Sequence, residues 1–413
     1  MIRILENNQA HDLVTRKSVR LAEAERTVAP ILDAVRKRGD GAVAEYARQF
    51  DGFEGAAFRV TREECDQARS GLAPEFRGAA EVAAANIRAY AATQIPEPKQ
   101  IEYPDGRRLG QIVRPLDAMG AYIPAGRYPL PSTLLMTAIP AQVAGVRRIV
   151  VACPRPSKEI LGLCSVLCID EVYRIGGAQA IAALAYGTGT IRRVDRIVGP
   201  GNIYVAAAKK LIAGEVGIDF VAGPTEIVII TADGNPAFLA ADMLAQAEHD
   251  VDASAILLTT SRELAGAVVL EVERQLETLP TAAVARVAIE RNSAIVVVAS
   301  MEQAAAFSNA LAPEHLSIHD AALLPAIQHA GSVFIGPYSP EAAGDYASGP
   351  NHVLPTSGAA RLRGGLSAAD FVKVISVQEL TAEGLRKLAP AIAALARAEG
   401  LEAHARSVEV RNA

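Results

Sequence analysis

The sequence has no tryptophan, only 5% aromatic residues, four cysteines and seven histidines. It also lacks a basic excess: 41 Lys and Arg stand against 46 Asp and Glu, a formal charge of −5. The charge balance argues against a nucleic-acid-binding surface. Cys65, Cys153, Cys164 and Cys168 form no CxxC pair and are too few for a disulfide scaffold. No apolar run reaches the ~18 residues of a membrane span. The opening segment MIRILENNQAHD lacks the apolar core of a secretory signal. A cytoplasmic chain without membrane or nucleic-acid partners is the expectation.

What is present is a large, core-forming chain. Its 413 residues are 50% hydrophobic, enough for roughly two to three domains at ~150 residues each. Residues 20–90 carry apolar positions at helical spacing, interrupted at Gly39 and Gly41. From about residue 110, short β-branched runs alternate with helical patterns: AYIPAG, RRIVVACP and EVYRIG, then EIVII, ASAILLTT, AIVVVAS, HLSIH and GSVFIG. Alternation of this kind predicts parallel sheets covered by helices. Residues 337–368 are rich in Gly, Ser, Pro and Asn and read as a long loop, either functional or disordered. Residues 376–400 read as helices. The cysteines read as structural: Cys153, Cys164 and Cys168 as small buried hydrophobes, the last two on one helix, and Cys65 as incidental.

With so few histidines, the setting of each matters. Gln246 and His249 are three apart at the end of a helical segment, with Asp242 on the same face. They suit a metal through an imidazole nitrogen and an amide oxygen, although spacing alone favours an ordinary polar helix terminus. Glu314-His315 sits at an element boundary, where a carboxylate beside an imidazole suits acid–base work or simply ends a helix. Asp345 and His352 lie in the polar loop, either as ligands or as loop polarity. Glu399 and His404 flank the terminal tail, where a role requires docking. The segments around Tyr122, Gly176-Gly177-Ala178-Gln179 and Gly199-Pro200-Gly201-Asn202 each follow an apolar run and precede a helix. Such loops line the crevice at the carboxyl ends of parallel strands. No GxGxxG fingerprint accompanies them.

Taken together, YIPAGRYPLPSTLLMTAIPAQVAGV, GGAQAIAALAYGT, VGPGNIYVAAAK, AGPTEIVII, AQAEHD, APEHL, SPEAAGDYASGPNHVLPT and AEGLEAHARSVEVR resemble the histidinol dehydrogenase family over nearly the whole chain. The resemblance implies an α/β fold of two Rossmann-like domains lacking the glycine fingerprint, with small terminal helical elements, in an intertwined homodimer with shared active sites. It implies an arm at 1–20, a discontinuous domain at 21–120 and 227–366, a dinucleotide domain at 121–226, and a C-terminal unit at 367–413 reaching the partner. It further implies one Zn2+ per subunit on Gln246, His249, Asp345 and His404, and NAD near Tyr122, Gln179 and Asn202. Glu314 and His315 would be the catalytic pair. Thr225, His352 and Glu399 would meet the substrate, together with His315 and the metal ligands. The expected reaction is four-electron oxidation of L-histidinol to L-histidine. PAG and Thr225 stand where many members have PGG and Ser. The GRYPL and GPTE wording is similar to a side branch acting on sulfonated diols, which is the alternative substrate class. A zinc hydrolase without a nucleotide crevice, or a non-catalytic metal-binding protein, are the other readings.

Overall fold

The computed structural model describes residues 1–15, 19–55, 57–125 and 128–411. Gly126 and Arg127 of the YIPAGRYPL motif, residues 16–18 of the expected arm and the last two tail residues lie outside the described set. The chain begins with β1 (Arg3–Glu6) and α1 (His11–Thr15). Four helices follow: α2 (Val19–Arg38), α3 (Asp40–Tyr46), α4 (Arg62–Ser70) and α5 (Pro74–Ala92). A π turn, Ala47–Asp51, extends α3. The break between α2 and α3 falls at Gly39, whose φ of 55° is left-handed, while Gly41 continues the second helix.

A five-stranded parallel sheet comes next. It comprises β4 (Ala118–Tyr122), β5 (Arg148–Ala152), β6 (Glu171–Tyr173), β7 (Arg196–Val198) and β8 (Gly217–Ile218). Its helices are α6 (Pro131–Val143), α7 (Lys158–Val166), α8 (Gly177–Tyr186) and α9 (Ile203–Ile212). The spatial order is β6-β5-β4-β7-β8. The second parallel sheet contains β9 (Glu226–Ile230), β10 (Ser254–Thr259), β11 (Ala294–Val297), β12 (His315–Ile318) and β13 (Ser332–Ile335). Its helices are α10 (Pro236–Ala247), α11 (Arg262–Leu276), α12 (Ala282–Asn292) and α13 (Met301–Leu311). The order is β11-β10-β9-β12-β13, with β1 added beside β11. Both sheets thus repeat one winding, third-second-first-fourth-fifth, which periodicity alone does not reveal. Strands such as EIVII are buried throughout because helices cover both faces.

Packing differs from the grouping expected from the sequence. Ala24, Val28, Leu32 and Val43 share a core with Tyr122, Ile175 and Ile181, and Val60 and Ile87 share another with Met119 and Val151. The segment 21–92 therefore packs against the first parallel sheet rather than the second, because its apolar stripes meet α7, α8 and α9. The N-terminal strand, expected as an arm, is an edge of the second sheet with Arg3 opposite Ala294.

A third sheet was not foreseen. β2 (Lys99–Glu102) and β3 (Arg108–Pro115) pair antiparallel with β14 (Val372–Glu379). The expected helix start at 376 is corrected: VKVISVQE is strand, and the helix α15 spans Ala382–Ala398. α16 (Glu402–Glu409) folds back on it around Ala393, Ala396 and Ala405. The polar stretch 337–368 is not all loop, since α14 (Glu341–Tyr346) lies within it. Two cysteines also differ from expectation. Cys65 is 4% exposed in the core, whereas Cys168 is exposed, lies beyond α7 and has φ 55°.

Candidate active site

The chemistry-bearing side chains of the second sheet collect at the amino ends of its strands. Thr225 immediately precedes β9, and His315 is the first residue of β12. α10 runs back antiparallel and delivers Gln246 and then His249 to the same end. Ala312, buried with φ 54°, ends α13 in a left-handed conformation that costs roughly 1–2 kcal/mol for a non-glycine residue. That turn, followed by Pro313, swings Glu314 into the interior.

A directed hydrogen-bond chain joins three of these residues. The Thr225 hydroxyl donates to Glu314 Oε2, which also accepts the Glu226 N–H at 3.0 Å. With its proton committed, Thr225 Oγ1 accepts from Gln246 Nε2 at 2.8 Å. The Gln246 amide is thereby oriented, and its Oε1 is left buried without a partner. A buried, unsatisfied amide oxygen is costly unless something enters to meet it. His315 places Nδ1 3.7 Å from Glu314 Oε2 and Nε2 3.5 Å from Asp345 Oδ1. His249 Nε2 is 4.0 Å from the other Asp345 oxygen.

The electrostatics follow from burial and from crowding of carboxylates. Burial pushes the Glu314 carboxyl up to about 7, against the pull of His315, Thr225 and the Glu226 N–H. Burial draws His315 down, but Glu314 and Asp345 outweigh it and the net direction is upward. Burial raises Asp345, yet the histidines around it, His315 foremost, hold it below the usual carboxylate range.

Glu341 escaped sequence analysis. It is 2% exposed, both its oxygens are buried without partners, and burial places it well above an ordinary glutamate. It stands four residues before Asp345 on α14, so both face one side. That spacing, E-A-A-G-D, is the only signal the sequence carries for it.

His352 is placed differently from a free substrate contact. Its Nδ1 lies 2.7 Å from the Asp345 carbonyl, which can only accept, so that nitrogen carries the proton. Its Nε2 then accepts from the Thr133 hydroxyl of α6 at 3.2 Å. Both nitrogens are spent on bracing Asp345 against the first sheet's helix.

Glu399 and His404 stand apart. Both are exposed on the α15–α16 hairpin, and no described hydrogen bond or ion pair joins either side chain to the cluster. Among the described residues no three His, Cys, Asp or Glu side chains converge on a metal position. His249 and Asp345, 4.0 Å apart, and the unpartnered Gln246 Oε1 are donors of the nitrogen and oxygen types that suit zinc.

The three loops of the first sheet occupy its carboxyl ends, on either side of the β4–β7 switch point. Tyr122, 4% exposed, accepts the Gly177 N–H through its hydroxyl at 3.1 Å. Gln179 is fully buried with Oε1 unpartnered. Asn202 caps α9, its side chain accepting from Tyr204 and Val205 N–H. Gly199 has φ 117°, and a Cβ there would lie 2.1 Å from the Tyr122 carbonyl oxygen, so only glycine fits. A buried Lys209–Asp219 pair grips that glycine from both sides, through its carbonyl and its N–H.

Comparison with known proteins gives consistent matches over nearly the whole chain. The family model described as histidinol dehydrogenase matches residues 14–412. The histidinol dehydrogenase of Geobacillus kaustophilus is 50% identical over 399 residues, 94% of each chain. That of Rhizobium meliloti is 47% identical over 416 residues, covering 98% of this chain and 96% of the relative. A crystal structure of histidinol dehydrogenase from Elizabethkingia anophelis superposes with a TM-score of 0.95 at 38% identity, covering 99% of this chain and 98% of that one.

Proposed function

The chain belongs to the histidinol dehydrogenase family, and from that premise we propose that the cluster at the amino ends of β9 and β12 is its active site. The activity is oxidation of L-histidinol with NAD. The directed chain Gln246–Thr225–Glu314 beside His315 and Asp345 is the observation that carries this placement. It puts a base, a proton carrier and an oriented oxygen ligand in one buried volume.

Converting an alcohol to a carboxylate removes four electrons, so two hydrides leave to two NAD and one water is consumed. In the first half, His315 in its neutral form takes the alcohol proton as hydride departs. The aldehyde stays bound. In the second half, Glu314 takes a proton from water as its oxygen adds to the aldehyde carbon, and loss of the second hydride yields the acid. Glu341 offers unengaged oxygens to the substrate amine, and His352 braces Asp345. Tyr122, Gln179 and Asn202 hold the dinucleotide in the unit spanning 121–226.

We assign Gln246, His249 and Asp345 as zinc ligands, with His404 of a second copy completing the set and its Glu399 meeting the substrate. Bound zinc would orient the substrate's nitrogen donors and supply positive charge beside Asp345. Support for a homodimer comes from apolar surface left open on the third sheet and the terminal hairpin: Ile101, Val374, Ile375, Leu395 and Val410 are all exposed. No helix among the described residues is long and apolar enough to cross a membrane.

Progress curves run to exhaustion should give two NADH per histidinol. One NADH, or turnover confined to a sulfonated diol, overturns the four-electron assignment. Chelation is expected to abolish activity and to lower the melting midpoint by roughly several degrees, since a ligand bound only to the folded state stabilises it. Added Zn2+ should restore both. A melting curve indifferent to chelator would remove the metal from this site.

A further inference from the structure

Asp51 lies far from the catalytic cluster in sequence and belongs to none of the motifs above. It ends the π turn after α3, and it reaches across to the carboxyl ends of β5 and β6. Its Oδ2 accepts the Gly176 N–H at 2.9 Å and Gln179 Nε2 at 3.1 Å. A carboxylate only accepts, so this contact fixes the Gln179 amide with nitrogen toward Asp51 and Oε1 away from it. The Gly177 N–H is taken by Tyr122. Two N–H groups at the start of the ten-residue helix α8 are therefore already satisfied by the protein. No described hydrogen bond engages Asp51 Oδ1; burial pushes the carboxyl up, while the Gly176 and Gln179 hydrogen bonds and the nearby Arg155 charge draw it down. A Cβ on Gly176 would meet Pro154 at 2.7 Å and Asp51 Oδ1 at 2.9 Å, which puts Asp51 beside the residue that follows β5 by two.

That place has a meaning in a sheet wound third-second-first-fourth-fifth. When a dinucleotide straddles the switch point, its adenosine ribose lies over the end of the second strand, and an acid there accepts the ribose hydroxyl. Here the second strand is β5. The residues after it, Cys153, Pro154 and Arg155, supply no acid. The cation in that stretch, Arg155, would favour a 2′-phosphate, but its guanidinium donates to the Ala125 carbonyl at 3.1 Å and its charge faces Asp51.

We propose that Asp51 is the residue that selects NAD over NADP: Oδ2 holds Gln179, while Oδ1 accepts the adenosine ribose hydroxyl and repels a phosphate in its place. The acid that other dinucleotide folds carry on the sheet itself is delivered here by the N-terminal helices. This rests on the dinucleotide site assigned above.

The test is Asp51→Asn, with Gln179→Ala beside it. An asparagine oxygen still accepts from Gly176 and Gln179, so the loop is held while the charge is lost. Asp51→Asn should raise the ratio of kcat/KM for NADP to that for NAD by about tenfold or more, because a like-charge repulsion has been removed. The loss with NAD should appear in KM rather than kcat. If Gln179→Ala raises the KM for NAD while Asp51→Asn leaves the ratio within about twofold, the role of Asp51 is overturned and the dinucleotide site stands. If neither variant alters the KM for NAD, the dinucleotide site itself is misplaced and this inference falls with it. Should Asp51→Asn not fold, the unmodified enzyme decides the matter. AMP should compete with NAD at least about tenfold better than adenosine 2′,5′-bisphosphate, and equal inhibition overturns the proposal.

Discussion

Glu314→Gln is expected to stall the reaction at the aldehyde. A glutamine oxygen can still accept from Thr225 and from the Glu226 N–H, so the chain that orients Gln246 survives the change. What is lost is the base. Removing a positioned general base costs about 10²–10⁴ in rate, and the cost should fall on aldehyde oxidation. Histidinol oxidation to the aldehyde relies on His315 and should fall far less. Supplying each compound separately and following NADH distinguishes the halves; equal slowing of both would remove Glu314 from its specific role. The pH profile carries the same information. Glu314 works ionised and is pushed up to about 7, so aldehyde oxidation should fall by about tenfold per unit below that pH and level off above it. In Glu314→Gln that limb should disappear.

The second large effect concerns the terminal hairpin. His404→Ala and His315→Ala are each expected to be nearly inactive, for unrelated reasons. If the site is shared between copies, mixing the two after dissociation and reassociation should restore activity. A mixed dimer has one site carrying both defects and one carrying neither. Random pairing makes half the dimers mixed, so recovery should approach roughly a quarter of wild type. Recovery near zero, with mixed dimers verified by mass, would confine each site to one chain. His404 is exposed on the hairpin and apart from Gln246, His249 and Asp345 within one chain, so this is the decisive test of the tail.

Much of this architecture is written in local pattern. The strands of both parallel sheets are short, continuous apolar runs because they are covered on both faces, and the helices between them carry clear caps, such as Ser157, Asn235 and Ser300. β14 was illegible for the opposite reason. Its residues are mostly exposed in this chain, and the pattern merges into the stronger amphipathic signal of α15. Gln246, His249, Asp345 and the Glu314–His315 pair stood out because histidine is scarce and each lies in a distinctive segment. Glu341 and Asp51 did not. Glu341 is set apart only by its burial, which its neighbours do not announce, and Asp51 meets Gln179 across 128 residues of sequence. Likewise, only folding shows that both nitrogens of His352 are spoken for.

A hydroxyl has one proton to give, and Thr225 gives it to Glu314. The direction of that gift decides which atom of the Gln246 amide is presented to an incoming cation. Were Glu314 to gain a proton and donate it to Thr225, the hydroxyl would be free to donate in turn to the amide. The amide would then present its nitrogen, which cannot bind a metal, where its oxygen now points. For the zinc proposed at Gln246, readiness of the base and grip on the metal would then be two readings of one proton arrangement, and acid that disarms the first would also loosen the second.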